Sequence, residues 1–256
     1  MFTVEERDRV REWVLNLARS DTRVTAGAMI GSMAGGAADQ WSDIDITFGI
    51  ALGHSPDAVL DEWTAAIDRE FGMLDTFDLR AGSSLYRVFI LPSGLEIDVS
   101  VTPQPDFGAR GPHFEILFGS ARPPEIAPPP DAHHLIGMGW HHVLHARVAI
   151  ERQKPWRAEY WISALRDHTL ALACLRHGEN AVQARGIDRL PASLAAPLVG
   201  ALVRSLDAPE LRRALAVATT SLIAEVQAHD PALCARLTPL LHEYGAPDAV
   251  PANESA

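Results

Sequence analysis

The sequence predicts an α+β protein: an N-terminal α/β unit built on a mixed sheet, followed by an all-α helical unit. Three observations predict it. Strand-like runs are confined to the first half of the chain. A stretch rich in Pro and Gly, ending in Pro128-Pro129-Pro130, interrupts the pattern. Every segment after it carries helical periodicity. The expected units are 1–125 and 126–246, with 247–256 an unstructured tail.

Val4 to Ala18 reads as an amphipathic helix, since Val10, Val14, Leu17 and Ala18 recur at helical spacing and Thr3 with Glu6 forms a capping-box pattern. Asp21-Thr22-Arg23 is a turn. Val24 to Ile30 suits a buried strand ended by Gly31-Ser32. Asp43 to Ile50 alternates acidic and apolar residues, as a strand with one functional face does. Ser55-Pro56 opens a helix that runs to about Phe71. Leu85 to Leu91 and Leu95 to Val101 form a hairpin around Pro92-Ser93-Gly94. His113 to Phe118 adds a further strand. Helices are expected over 131–152, 156–177, 191–206, 208–229 and 231–244, with Gly178 and Gly245 as C-terminal caps.

The bulk numbers exclude several classes. The chain has 256 residues, 47% hydrophobic and 21% charged. That composition is ordinary for a globular protein able to bury a core without staples. A net charge of −11 disfavours nucleic acid as a partner and favours a cationic one. Cys174 and Cys234 are read as buried free thiols. No apolar run reaches the ~20 residues of a membrane span, and the charged N-terminus lacks a signal core, so a cytoplasmic location without a membrane partner is expected. His133, His134, His141, His142 and His145 are read as solvated or core residues, because no acid or cysteine pattern accompanies them. Trp156, Tyr160 and Trp161 are read as core aromatics.

The chemistry concentrates in three short stretches. Gly31-Ser32 leaves a strand and offers backbone N–H groups and a hydroxyl suited to a phosphate, while Gly35 and Gly36 allow close approach of a ligand. Asp43 and Asp45, two apart on a strand, face the same way. Paired carboxylates repel unless cations lie between them, and hard divalent ions with oxygen ligands fit. A third carboxylate on a neighbouring strand completes a two-metal site for in-line phosphoryl displacement. Glu96 and Asp98 both fit that third place by periodicity, sharing one strand face. On the helix after Lys154, Glu159, Arg166 and Asp167 fall near one face.

The string GSMAGGAADQWSDIDI, followed far downstream by LEIDV, resembles the DNA polymerase β-like nucleotidyltransferase superfamily. Its signature is Gly-Ser, then Asp-x-Asp, then a third acid. The likeness covers 24–50 and 85–101. The helical half is similar to that of aminoglycoside and lincosamide adenylyltransferases, through its architecture and the segment RAEYWISALRDHTLALACLRHG. The resemblance implies that Gly31 and Ser32 hold the β- and γ-phosphates. It implies that Asp43, Asp45 and Asp98 bind two Mg²⁺ ions, with Asp98 preferred over Glu96 and helping to deprotonate the acceptor hydroxyl. It also implies ATP as co-substrate, Glu159 as general base or amine ligand, Arg166 near the triphosphate, and an acceptor cleft between the units. The expected activity is transfer of a nucleoside monophosphate to a hydroxyl of a small acceptor, an aminoglycoside-like antibiotic above all. A protein-adenylylating antitoxin and an inactive binding module are the alternatives. The expected assembly is a monomer or a homodimer.

Overall fold

The chain is described by a computed structural model covering residues 1–36, 38–111, 113–125 and 128–246. The expected tail, 247–256, lies outside these residues. The chain divides into two compact units, Met1–Ala127 and Pro128–Ala256.

The first unit begins with α1 (Val4–Ser20), capped by the Thr3 hydroxyl, which accepts from the Glu6 N–H at 3.1 Å. There follow β1 (Val24–Ile30), a single turn of helix α2 (Gly31–Ala34), β2 (Ile44–Ile50), α3 (Pro56–Phe71), β3 (Asp75–Ala81), β4 (Ser84–Ile90), β5 (Glu96–Pro103) and β6 (Phe114–Phe118). The sheet runs β3-β4-β5-β2-β1-β6. Its pairs are antiparallel except β2 with β5, which is parallel. A parallel pair needs a long crossover; here α3 and the β3–β4 hairpin provide it.

Strand alternation sorts the sheet into two faces. Ile44, Ile46, Phe48 and Ile50 of β2, with Ile97, Val99 and Val101 of β5, join Val10 and Val14 of α1 and Val59, Leu60, Trp63 and Ile67 of α3 in one core. Each such fully buried aliphatic side chain contributes about 1.5–3 kcal/mol. The opposite face carries Asp45 and Thr47 on β2 and Asp98, Ser100 and Thr102 on β5. There the Thr102 hydroxyl lies 2.7 Å from that of Ser84. Farther along this second face, Phe107 packs with Ala26 and Ala28.

The second unit holds α4 (Ala132–Glu151), α5 (Pro155–His177), α6 (Ala192–Val199), α7 (Ala208–His229) and α8 (Pro231–Gly245) around a separate core. Asp131 caps α4, accepting from the His133 and His134 N–H groups. Gly178 ends α5 in the left-handed conformation with φ of 70°. A Cβ at Gly139 would stand 2.7 Å from Leu222, so glycine there lets α4 approach α7.

Several sequence expectations are corrected. β3 falls where no element was expected: it is an edge strand with an almost wholly exposed face, so it lacks the buried alternation that marks a strand. The helix expected over 191–206 ends at Val199. Pro197 removes one helical donor, and Arg213 donates to the Gly200 and Leu202 carbonyls beyond it, which stabilises a loop instead. Gly245 is not a cap but the last residue of α8, where a Cβ would stand 2.6 Å from Thr219. Trp156 and Tyr160 are exposed rather than core aromatics. Trp161 alone of the three packs against the core, with its ring near those of His141, His142 and His145.

Candidate active site

The site begins where β1 ends. Gly31 turns the chain with φ of 67°, a left-handed conformation that glycine adopts without penalty. A Cβ at that position would lie 2.1 Å from Asp45 Oδ2. The turn is therefore closed onto the Asp45 carboxylate so tightly that no side chain fits between them. Ser32 follows, half-buried. The helix entered here is one turn long, so the dipole expected to favour a phosphate is small. Gly35 is packed against the His113 ring, with 2.8 Å to Nδ1 for an added Cβ, whereas Gly36 faces open space.

Asp43 stands one residue before β2 rather than inside it. The loop that delivers it is shaped by its own side chains. Asp39 Oδ1 accepts from the Trp41 N–H at 2.8 Å and from the Ser42 hydroxyl at 3.2 Å, and Ser42 Oγ accepts from the Asp39 N–H at 3.0 Å. Such short polar side chains commonly build turns in this way. Arg7 of α1 reaches the same loop: its Nη1 donates to the Asp39 carbonyl and, at 3.3 Å, to the Ser42 carbonyl.

The β2–β5 register sets Asp45 opposite Asp98. It separates the two carboxylates that periodicity left equivalent. Glu96, the first residue of β5, is exposed, whereas Asp98 is half-buried beside Asp45. Asp98 Oδ1 is buried and has no hydrogen-bond partner among the described residues. Burial, together with the charges of Glu96 and Asp43, pushes the Asp98 carboxyl up to about 6. All three effects disfavour its ionised form.

As the side chains stand, no three His, Cys, Asp or Glu residues among those described are grouped closely enough to hold a metal ion. The donor chemistry nevertheless suits a hard divalent cation: carboxylate oxygens only, one of them buried and unpartnered, with like charges converging.

Glu159 and Arg166 lie on α5 in the second unit. Glu159 accepts from the Ser163 hydroxyl at 2.6 Å, one helical turn on. Arg166 pairs with the adjacent Asp167 at 3.0 Å. The five histidines of α4 fall into three environments, with His141 and His145 half-buried. His133 and His134 are exposed at the first turn, while His142 is buried and held down to about 4 by burial and the nearby His168 and His141. Arg7 was missed by the sequence reading. Its position on the stripe Arg7, Val10, Val14 was the available signal: a cation on the buried face of an amphipathic helix.

No family model matches the chain, and no curated protein matches it in sequence. Among solved structures, an aminoglycoside 6-adenyltransferase from Bacillus subtilis aligns with 95% of this chain and 99% of its own, at 10% sequence identity and a TM-score of 0.42. The chemistry therefore rests on the residues of this chain. Its fold is an α+β arrangement of a six-stranded mixed sheet with helices, followed by a helical C-terminal region.

Proposed function

We propose that this protein is a nucleotidyltransferase that moves a nucleoside monophosphate, AMP from ATP, to a hydroxyl of a small acceptor. The observation that carries this reading is the register of the parallel pair, which sets Asp45 against Asp98, with Asp43 just ahead of β2 and the Gly31 turn closed over Asp45.

Asp43, Asp45 and Asp98 would hold Mg²⁺, two ions when fully loaded. Bound Mg²⁺ supplies neutralisation of the charge that develops on the transferring phosphate and the leaving pyrophosphate. Gly31 and Ser32 offer a backbone N–H and a hydroxyl to the terminal phosphates. The acceptor oxygen bonds to the α-phosphorus as the bond to the bridging oxygen of the β-phosphate breaks, and pyrophosphate leaves. Asp98, ionised once a cation is bound beside it, takes the proton of the acceptor hydroxyl as a positioned carboxylate base. The net charge of −11 favours a cationic acceptor such as an aminoglycoside.

The test is pyrophosphate release with Mg-ATP across aminoglycosides, lincosamides and uncharged polyols. Release that depends on one cationic class is expected, together with a loss of at least about a hundredfold in Asp45→Asn. Full turnover in Asp45→Asn would sink the mechanism. Mg-ATP binding without release for any compound would replace the small acceptor with a protein.

A further inference from the structure

Arg7 has no part in the reaction as written, yet it is only 5% exposed. A guanidinium removed from water is costly unless its donors are used. Those of Arg7 are used in one direction. Nη1 donates to the carbonyls of Asp39 and Ser42, and Nε lies 3.5 Å from Asp8 Oδ1 without a hydrogen bond. The two carbonyls bracket the loop whose next residue is Asp43. The remaining bonds of that loop, from Asp39, Trp41 and Ser42, are internal and fix its shape. The bonds from Arg7 tie it to a helix that is itself anchored in the core by Val10, Val14 and Ala18.

We propose that Arg7 is a positioning residue for the divalent-cation site: by fastening the 39–42 loop to α1, it sets where the Asp43 carboxylate stands relative to Asp45 and Asp98. This rests on the nucleotidyl-transfer reading. Arg7 neither ligates the cation nor touches substrate. Its effect passes through two main-chain carbonyls, so it acts on a ligand's position as outer-shell partners do. A carboxylate not held within about half an ångström loses much of its value as a ligand.

The test uses the full chain and Mn²⁺ as probe, with bound ion read by electron paramagnetic resonance titration in the absence of nucleotide, and unfolding temperature measured alongside. Arg7→Met is expected to weaken Mn²⁺ binding about tenfold while remaining folded. Arg7→Lys, whose Nζ stops one bond short of the Nη1 position, is expected to fall between it and the native chain. Val10→Ala removes core volume from the same helix without touching the loop. It is expected to lower the unfolding temperature and leave Mn²⁺ binding unchanged.

A native Mn²⁺ constant in Arg7→Met overturns the positioning role. So does an equal weakening in Val10→Ala. If Arg7→Met does not fold, a native constant in Arg7→Lys overturns it instead. A native chain that binds no Mn²⁺ overturns the proposal together with the function on which it rests.

Discussion

Burial, Glu96 and Asp43 act on Asp98 in the same direction. A carboxyl raised from 3.8 to about 6 favours the fold fully below its unfolded value, and that contribution is lost as pH rises through the folded value. Without divalent cation, Asp98→Asn should therefore be more stable than the native chain at pH 7.5, by roughly 2–3 kcal/mol. The gap should close between about pH 6 and pH 4. Urea denaturation in EDTA at several pH values measures this. With excess Mg²⁺ the order should reverse, because only the native chain gains from the ion. Equal stabilities in EDTA at pH 7.5 would show that Asp98 is well solvated. At this scale the sequence was partly legible. Asp43 and Asp45 announce themselves by spacing, and Gly31-Ser32 by its place after an apolar run. The register that sets Asp98, rather than Glu96, opposite Asp45 is not contained in strand periodicity. Arg7 needed a contact between residues far apart in the chain.

At the scale of elements, the α1–β1 turn is fixed by one carboxylate. Asp21 accepts from the Arg23 backbone at 3.0 Å, from its guanidinium at 2.7 and 2.9 Å, and from the Trp63 indole of α3 at 3.0 Å. The Arg23 side-chain bond leads in holding the Asp21 carboxyl down to about 2. This stabilising contribution is present above the unfolded value and is lost as pH falls toward about 2. Asp21→Ala leaves the buried Trp63 N–H without its acceptor and should destabilise the first unit by about 2 kcal/mol at neutral pH. That deficit, read from denaturant midpoints, should shrink below pH 4. The sequence marked Asp21-Thr22-Arg23 as a turn but gave no hint that Trp63 reaches back to it. The edge strand β3 was illegible for a related reason: what holds it is pairing with β4 and the Arg87 contact to Asp78, not a buried face of its own.

At the scale of the molecule, the two units have separate cores. Among the described residues, the buried residues of the helical unit, from Leu135 to Leu241, form a cluster of their own. A fragment spanning 128–246 should accordingly fold alone, giving a helical circular dichroism spectrum and one cooperative thermal transition. A gradual melt would mean that this core depends on the first unit. The division expected from the sequence rests on Pro128-Pro129-Pro130, which breaks both helix and strand, and on the change of hydrophobic period across it. No helix among the described residues is long and apolar enough to cross a bilayer.

The single parallel pairing in the sheet has a further consequence for how the chain reaches its native state. Asp45 and Asp98 meet only when β2 closes against β5 across an intervening helix and hairpin. Long-range closures of this kind are slow, because the entropy of the loop is lost before the contact returns anything. Here the strands also bring together two side chains that repel when both are ionised. Closure of β2 against β5 thus brings carboxylates together as well as ordering a long loop, and a cation seated between them would favour that closure.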